Sequence, residues 1–146
     1  MERKASATWR GGLKDGTGVV SSISGVLSET PYSFHTRFEN QPGTNPEELI
    51  AAAHAGCFSM ALSAKLGEAG LTPERIDTNA TLTMEKLETG WTITKVHLVV
   101  RAKVPGADAA KFNKAAEEAK AGCPVSKVLN AKITMDSKLE SELAAD

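Results

Sequence analysis

The sequence predicts an α+β domain in which antiparallel sheets surround one long, buried central helix. Two observations carry this prediction. Segments of alternating polarity are joined by short glycine-containing turns, which favour hairpins, and one long apolar segment has helical spacing. The predicted order is β-β-β-α-β-β-α-α-β. No repeat, low-complexity tract or linker interrupts it, so we expect a single domain over residues 1–146.

Three strands precede the central helix in this prediction. Alternation and glycine spacing place the first two at residues 5–10 and 17–24, as an antiparallel hairpin. The third covers residues 32–38, where the aromatic side chains share one face and Arg37 lies on the other. A loop at residues 39–45 leads into the helix.

The central helix is predicted at residues 46–66. Asn45 caps it, Pro46 fits its first turn, and Glu48 is placed to answer the cap. Apolar residues occupy most of its circumference, so we expect burial nearly all round and a second copy of the chain covering one side, in an intertwined homodimer. With about 16 residues between Glu48 and Lys65, it is shorter than the roughly 20 that a bilayer span needs.

The second half continues with two strands, two helices and a last strand. The second of these strands changes its apolar phase, which predicts a bulge near Lys95. Asp108 is the expected cap of the longer helix, and Cys123-Pro124 opens the shorter one. The predicted elements are strands 76–87 and 91–104, helices 109–121 and 124–129, strand 131–139, and a frayed tail at 142–146, within a terminal segment at 140–146.

Composition narrows the class of protein. Seventeen basic and eighteen acidic residues give a net charge of −1 without a basic cluster, which excludes the usual surfaces for nucleic acid and membranes. The N-terminal residues lack the apolar core of a secretory signal, so we expect a cytoplasmic protein. His35 and His97 have no metal-ligand spacing, and no metal or cofactor is predicted.

The two cysteines have different predicted surroundings. Cys57 lies in the middle of the apolar helix, where burial raises the pKa of a thiol. Cys123 lies at the start of a short helix, where free N–H groups favour a thiolate. A cation about 4 Å away stabilises a thiolate by roughly 4 kcal/mol at an effective dielectric constant near 20. Arg37 is the candidate for this role at Cys57.

Glu47 is the predicted partner of Arg37, through a bidentate ion pair. Ten residues separate Glu47 from Cys57, so on a straight helix they differ by roughly 15 Å along the axis. Three explanations stay open: the helix breaks near Gly56, Glu47 acts on Arg37 and not on sulfur, or Glu47 serves the thiol of another subunit.

Structural roles compete with each of these interpretations. Cys57 could be an inert core thiol, and the two cysteines could form a purely structural disulfide. Arg37 and Glu47 could be an ordinary solvated ion pair. His54, one turn before Cys57, could act as a base or be a hydrogen-bonded core histidine.

Three segments, residues 43–50, 54–62 and 121–129, closely resemble the signature stretches of the osmotically inducible protein C (OsmC) family, which belongs with the organic hydroperoxide resistance proteins. The resemblance covers residues 9–139. It implies an intertwined homodimer without metal or cofactor, acting as a thiol-dependent peroxidase on organic hydroperoxides and, less well, on hydrogen peroxide.

The resemblance also implies roles for four residues. Cys57 attacks the peroxide, Cys123 resolves the sulfenic acid as a disulfide, and Arg37 and Glu47 activate Cys57. An external dithiol, lipoyl groups in related proteins, returns the electrons. The alternatives are a non-enzymatic thiol redox sensor, a hydrophobic-ligand-binding dimer, and a structural domain whose thiols are silent.

Overall fold

The computed structural model describes residues 1–140. The chain divides into two compact units, Met1–Leu49 and a second that begins at Ile50. The prediction of a single domain stays a prediction. The helices and strands are β1 Ala5–Arg10, β2 Thr17–Ser22, β3 Thr30–Tyr32, α1 Phe34–Phe38, α2 Pro46–Glu68, β4 Arg75–Leu87, β5 Gly90–Lys103, α3 Ala109–Gly122, α4 Pro124–Val128 and β6 Lys132–Leu139.

The first unit contains a three-stranded antiparallel sheet in the order β1-β2-β3. The predicted hairpin of β1 and β2 is confirmed. Gly18 pairs with Trp9 on one side and Tyr32 on the other, and the two rings lie 5.4 Å apart. A methyl group at Gly18 would come within 2.5 Å of the Trp9 ring, so glycine is what lets the rings close over β2.

The predicted strand at residues 32–38 is wrong, because the strand ends at Tyr32 and a short helix, α1, follows. Ser33 and Thr36 form a capping box, in which each side chain accepts a hydrogen bond from the other residue's backbone N–H. The rings of Phe34 and Phe38, one helical turn apart, pack in a tilted arrangement with their centroids 4.9 Å apart. A spacing of four satisfies both the strand and the helix period, which is why the aromatic pattern was ambiguous. Arg37 therefore lies on a helix.

The second unit contains the sheet β4-β5-β6. Strands β4 and β5 form a long antiparallel hairpin, in which Thr83 pairs with Lys95 and Met84 with Ile93. Thr94 is the extra residue, which confirms the predicted bulge near Lys95. The prediction of purely antiparallel sheets is wrong for β6, which runs parallel to β5. Helices α3 and α4 form the crossover that a parallel neighbour requires.

The core of the second unit lies between one face of this sheet and helices α2 and α3. The predicted cap of α3 is confirmed, since the side chain of Asp108 accepts from the Lys111 N–H. The buried apolar residues are Phe58, Leu62 and Leu66 of α2, Val96, Leu98, Val100 and Ala102 of β5, Phe112, Ala115, Ala116 and Ala119 of α3, Val104 just after β5, and Cys123.

Helix α2 begins at Pro46 as predicted, and Asn45 accepts the Glu48 N–H. The prediction of burial nearly all round is wrong for the single chain. Its buried residues, His54, Phe58, Leu62 and Leu66, form one stripe at four-residue spacing. On another face Met60 is 78% exposed.

The helix is also longer than predicted. It has 23 residues, and an 18-residue window within it has a mean hydropathy of 1.4. By length and composition alone this is enough to cross a bilayer, a test that core helices of soluble proteins also pass.

The end of β6 is anchored. The Glu140 N–H donates to the Ala102 carbonyl at 2.8 Å, and the Glu140 carboxylate accepts from Arg75 at 2.8 Å. Glu140 is therefore held in place, although it was predicted as the start of the terminal segment. The predicted frayed tail at 142–146 lies outside the described residues.

Candidate active site

The two cysteines are free thiols that contact each other across the second unit. Cys57 lies in the middle of α2, and Cys123 lies between α3 and α4 as the N-cap residue of α4. Their Sγ atoms are 3.0 Å apart, within hydrogen-bonding distance. Cys123 is fully buried and Cys57 is half-buried, so one sulfur can be reached by a solute while the other lies behind it. This is a geometry in which a disulfide can form with little movement.

The surroundings of Cys57 act on its ionisation in both directions. Burial is the largest effect and raises the pKa of the Cys57 thiol above its ordinary value. The hydrogen bond with Cys123 and charge repulsion from Cys123 raise it further, while the backbone N–H of Val125 hydrogen-bonds to Cys57 and lowers it. The short helix α4 thus directs an amide of its first turn to the partner cysteine, Cys57. From the sequence, that amide was expected to stabilise a thiolate at Cys123.

Arg37 and Glu47 form an ion pair in the first unit. Arg37 Nε donates to Glu47 Oε1 at 2.8 Å, and the guanidinium lies over the Phe38 ring at 5.1 Å. The contact therefore uses Nε of the guanidinium, with a single Glu47 oxygen as acceptor, so the predicted bidentate geometry is wrong. The second oxygen, Oε2, is buried without a hydrogen-bond partner among residues 1–140.

An aromatic pocket opens beside Arg37 in the same unit. Its volume is about 230 Å³. It is lined by Trp9, Leu13, Tyr32, Ser33, Phe34, Arg37 and Phe38. A cavity of this composition accepts a small apolar or aromatic group and places a cation at its wall. Helix α1, whose start is fixed by the capping box of Ser33 and Thr36, supplies three of these side chains.

The four predicted site residues are thus brought together as two pairs, Arg37 with Glu47 and Cys57 with Cys123. The proposed helix break near Gly56 is wrong, because α2 is continuous from Pro46 to Glu68.

His54 is a hydrogen-bonded core histidine, one of the two alternatives for it. It is fully buried, and its Nε2 lies 2.7 Å from Ser126 Oγ. Burial lowers the pKa of the His54 imidazole below its ordinary value. Sequence reasoning missed the Ser126 side chain, and it assigned the Val125 amide to Cys123 and not to Cys57. A signal for Ser126 was present in the spacing, since His54 precedes Cys57 by three residues and Ser126 follows Cys123 by three.

Comparisons with known proteins agree with this geometry. A family model described as OsmC-like protein matches residues 38–138. The chain is 55% identical over 141 residues to Peroxiredoxin OsmC of Escherichia coli (strain K12), covering 97% of this chain and 99% of that protein. It is 34% identical over 137 residues to the organic hydroperoxide resistance protein OhrB of Bacillus subtilis (strain 168), covering 93% of this chain and 95% of that protein.

Solved structures show the same fold. The crystal structure of OhrB from B. subtilis superimposes with a TM-score of 0.71 at 29% identity, covering 92% of this chain and 98% of that one. An OsmC-like protein of unknown function from Vibrio cholerae gives a TM-score of 0.74 at 18% identity, covering 94% of this chain and 99% of that one. The two thiols, the mixed α+β fold with its central helix and these matches together show that the chain belongs to the OsmC-like protein family.

Proposed function

We propose that this chain is a thiol-dependent peroxidase that reduces organic hydroperoxides and, less well, hydrogen peroxide. The Cys57 thiolate attacks the terminal oxygen of the hydroperoxide, the O–O bond breaks, and the alkoxide leaves as an alcohol after taking up a proton. Cys57 is then a sulfenic acid. The Cys123 thiolate attacks its sulfur, the S–S bond forms as the S–O bond breaks, and the hydroxide leaves as water after taking up a proton.

The single observation that carries this proposal is the 3.0 Å contact between Cys57 and Cys123 in a chain of this family. The names of the relatives, Peroxiredoxin OsmC and organic hydroperoxide resistance protein OhrB, support the same class of reaction. A thiol pair of this kind can take two electrons from a dithiol and pass them to a peroxide without a metal or cofactor.

The proposed role of Arg37 is to activate Cys57. Because burial raises the pKa of Cys57, the thiol needs a cation to ionise near neutral pH. Arg37 carries the charge, and its terminal N–H groups can also stabilise the leaving oxygen. Glu47 orients the guanidinium through the 2.8 Å bond to Nε, in agreement with the explanation that Glu47 acts on Arg37 and not on sulfur.

The aromatic pocket beside Arg37 supports an organic substrate. A small apolar tail gains binding energy from burial against aromatic rings, whereas hydrogen peroxide has no such tail. The chemical class favoured is therefore a hydroperoxide with a compact apolar or aryl group that fits about 230 Å³.

Recycling and assembly complete the proposal. An external dithiol, of the lipoyl type, reduces the Cys57–Cys123 disulfide, as expected in a reducing cytoplasm. The exposed apolar face of α2, with Met60 78% exposed, supports the homodimer in which a second copy covers that face.

The experiment that tests the function is consumption of cumene hydroperoxide in the presence of a dithiol reductant. We expect stoichiometric turnover by the wild-type chain and complete loss in Cys57→Ser. Hydrogen peroxide serves as the comparison substrate and should react more slowly. Activity that survives in Cys57→Ser would overturn the proposal.

A second function, a non-enzymatic redox sensor, is favoured by one observation, the 3.0 Å contact between the half-buried Cys57 and the buried Cys123. A partly exposed thiol beside a resolving cysteine is also typical of redox sensors, which are oxidised once rather than turned over. A Cys57–Cys123 disulfide that forms with peroxide but that no dithiol reduces would favour this sensor role.

A further inference from the structure

A buried hydrogen bond joins α2 to α4 beside the two thiols. His54 Nε2 and Ser126 Oγ are 2.7 Å apart. The His54 side chain is fully buried, and Ser126 is 9% exposed. This bond takes no part in the peroxidase chemistry proposed above.

The His54–Ser126 bond and the Cys57–Cys123 contact are separated by the same number of residues in both segments of chain. His54 lies three residues before Cys57, and Ser126 lies three residues after Cys123. Residues three apart on a helix lie on the same face. The two contacts, 2.7 Å for His54 and Ser126 and 3.0 Å for the two sulfurs, therefore link the same two segments of chain side by side.

Helix α4 has few other anchors. It has five residues, and a helix this short does not form stably without tertiary contacts. Ser126 is its buried residue, Val128 is 77% exposed, and apolar anchoring comes from the partly buried Val125 and Leu129. A directional bond from Ser126 can fix the position of such a segment, whereas partial apolar contact alone leaves it free to slide.

The imidazole is an unfavourable choice for a position that only fills space. Nδ1 of His54 is buried without a hydrogen-bond partner among residues 1–140, and an unpaired buried polar atom is destabilising. An apolar side chain of similar size would avoid that cost. What the imidazole supplies, and an apolar group cannot, is the bond to Ser126.

We propose that His54 and Ser126 form a positioning pair that holds α4 against α2 and thereby keeps Cys123 within bonding reach of Cys57. The inference rests on the proposed function, because it assigns the pair to the step in which Cys123 attacks the Cys57 sulfenic acid. In that step the Cys123 thiol gives up its proton, its sulfur forms the S–S bond, the S–O bond of the sulfenic acid breaks, and the leaving hydroxide takes up a proton to become water. The same pair keeps the backbone N–H of Val125 in position to hydrogen-bond to Cys57.

The test compares three variants with the wild-type chain. Ser126→Ala removes the hydroxyl, and Ser126→Thr keeps it. Ser59→Ala is the matched control, because Ser59 makes a 2.8 Å hydrogen bond from α2 to Thr78 of β4, away from α4. The first readout is the equilibrium between dithiol and disulfide in mixtures of reduced and oxidised dithiothreitol, in which oxidised dithiothreitol accepts the two thiol hydrogens.

The second readout is the pH dependence of alkylation by iodoacetamide, resolved for each cysteine by tryptic mass spectrometry. Cys57 falls in peptide 38–65 and Cys123 in peptide 121–127, so the two thiols are followed separately. Neither readout uses a peroxide. A wild-type chain that fails to reduce hydroperoxides would therefore refute the proposed function without deciding the role of the pair.

In Ser126→Ala we expect the equilibrium constant for disulfide formation to fall about 10- to 100-fold, as for a misplacement of about 1 Å between reacting groups. The pH midpoint of Cys57 alkylation should move upward as the Val125 contact weakens. Ser126→Thr and Ser59→Ala should match the wild-type chain.

The proposal is overturned if Ser126→Ala is indistinguishable from Ser59→Ala in both readouts, or if Ser126→Thr is as defective as Ser126→Ala. Should Ser126→Ala fail to fold, the deciding variant is His54→Leu. Its apolar side chain has no group that can hydrogen-bond to Ser126, and a wild-type equilibrium constant in that variant would also overturn the proposal.

Discussion

The sulfur atoms of Cys57 and Cys123 lie 3.0 Å apart, although 66 positions separate the residues in the chain. Helix α2 carries one cysteine, and the crossover from β5 to β6 carries the other. Because both lie in the second compact unit, the contact depends on the packing of α2 and α4. The proposed peroxidase cycle uses this contact in its second step, which makes that step the first to test.

Replacing Cys123, the proposed resolving thiol, should stop the proposed cycle after its first step. In Cys123→Ser we expect one equivalent of cumene hydroperoxide to be consumed per chain, since Cys57 keeps its sulfur, but no disulfide can follow. The product should gain one oxygen, and further oxygens with excess peroxide. Intact mass measured without reductant distinguishes this from the loss of two hydrogens expected for the wild-type chain. A loss of two hydrogens in the variant would contradict the assignment of Cys123.

Removing the Arg37 cation should slow the first step of the proposed cycle, the attack of Cys57 on the peroxide. In Arg37→Gln we expect peroxide reduction to fall about 100-fold or more, the effect of deleting one group that stabilises developing charge. The pH midpoint of Cys57 alkylation should rise, because burial then acts on the thiol without an opposing cation. Stopped-flow peroxide consumption and alkylation rates measure the two effects.

Arg101→Gln is the control for this prediction. Arg101 pairs with Glu140 at 3.5 Å and its side chain is 60% exposed, so the same charge is removed away from the thiols. Equal rates in Arg37→Gln and the wild-type chain would exclude Arg37 from catalysis.

Neutralising the Glu47 carboxylate should slow peroxide reduction less than removing the Arg37 guanidinium does. In Glu47→Gln the contact to Arg37 Nε loses its charge assistance, and we expect peroxide reduction about tenfold slower, which corresponds to about 1.4 kcal/mol. Stability should change by less than about 1 kcal/mol, because partly exposed ion pairs contribute little. Glu68→Gln, which breaks the 3.4 Å pair with Lys65 on the same helix, is the control. A variant that loses stability but not activity would show that Glu47 is structural.

Local sequence patterns predicted several features of the structure, but periodicity could not distinguish a strand from a helix at residues 32–38. The pattern of α2, the bulge at Thr94 and the cap at Asp108 are local, and each was predicted. The strand assigned to residues 32–38 was wrong because Phe34 and Phe38 fit either period, and the hydroxyls of Ser33 and Thr36 decided for a helix.

Contacts between segments that are far apart in the chain were harder to predict from the sequence. The resemblance to a known family indicated a functional link between Cys57 and Cys123, but nothing in the local pattern showed that the Val125 amide reaches Cys57. The bond between His54 and Ser126 joins residues 72 positions apart, and only the matched three-residue spacing hinted at it. The parallel direction of β6 likewise follows from the α3–α4 crossover and not from the composition of the strand.

The exposed face of α2 predicts how the proposed homodimer can be broken. Met60 is 78% exposed in the single chain, on a helix that is apolar on most of its circumference. If a second copy covers this face, Met60→Lys buries an unpaired charge in the interface and should convert a dimer to monomers. Light scattering coupled to size-exclusion chromatography measures the mass. Val99→Lys, on the outer face of β5, is the control and should leave the mass unchanged. A dimer that persists in Met60→Lys would place the interface elsewhere.

The buried imidazole predicts the pH dependence of stability. Burial lowers the pKa of His54 below its ordinary value of 6.5, so the unfolded chain binds a proton at a higher pH than the folded chain does. The contribution of His54 to stability is therefore fully present above pH 6.5 and is lost as the pH falls through the folded-state pKa. Urea unfolding at pH 7.5 and pH 5.5 measures this loss.

His54→Gln isolates the effect, because glutamine does not titrate while every other group stays the same. We expect the wild-type chain to lose more stability than His54→Gln between the two pH values. An equal loss in His54→Gln and the wild-type chain would mean that the folded chain accommodates a proton on His54. Its bond to Ser126 would then have to survive with a charged ring, in which both nitrogens are donors and Ser126 Oγ can only accept.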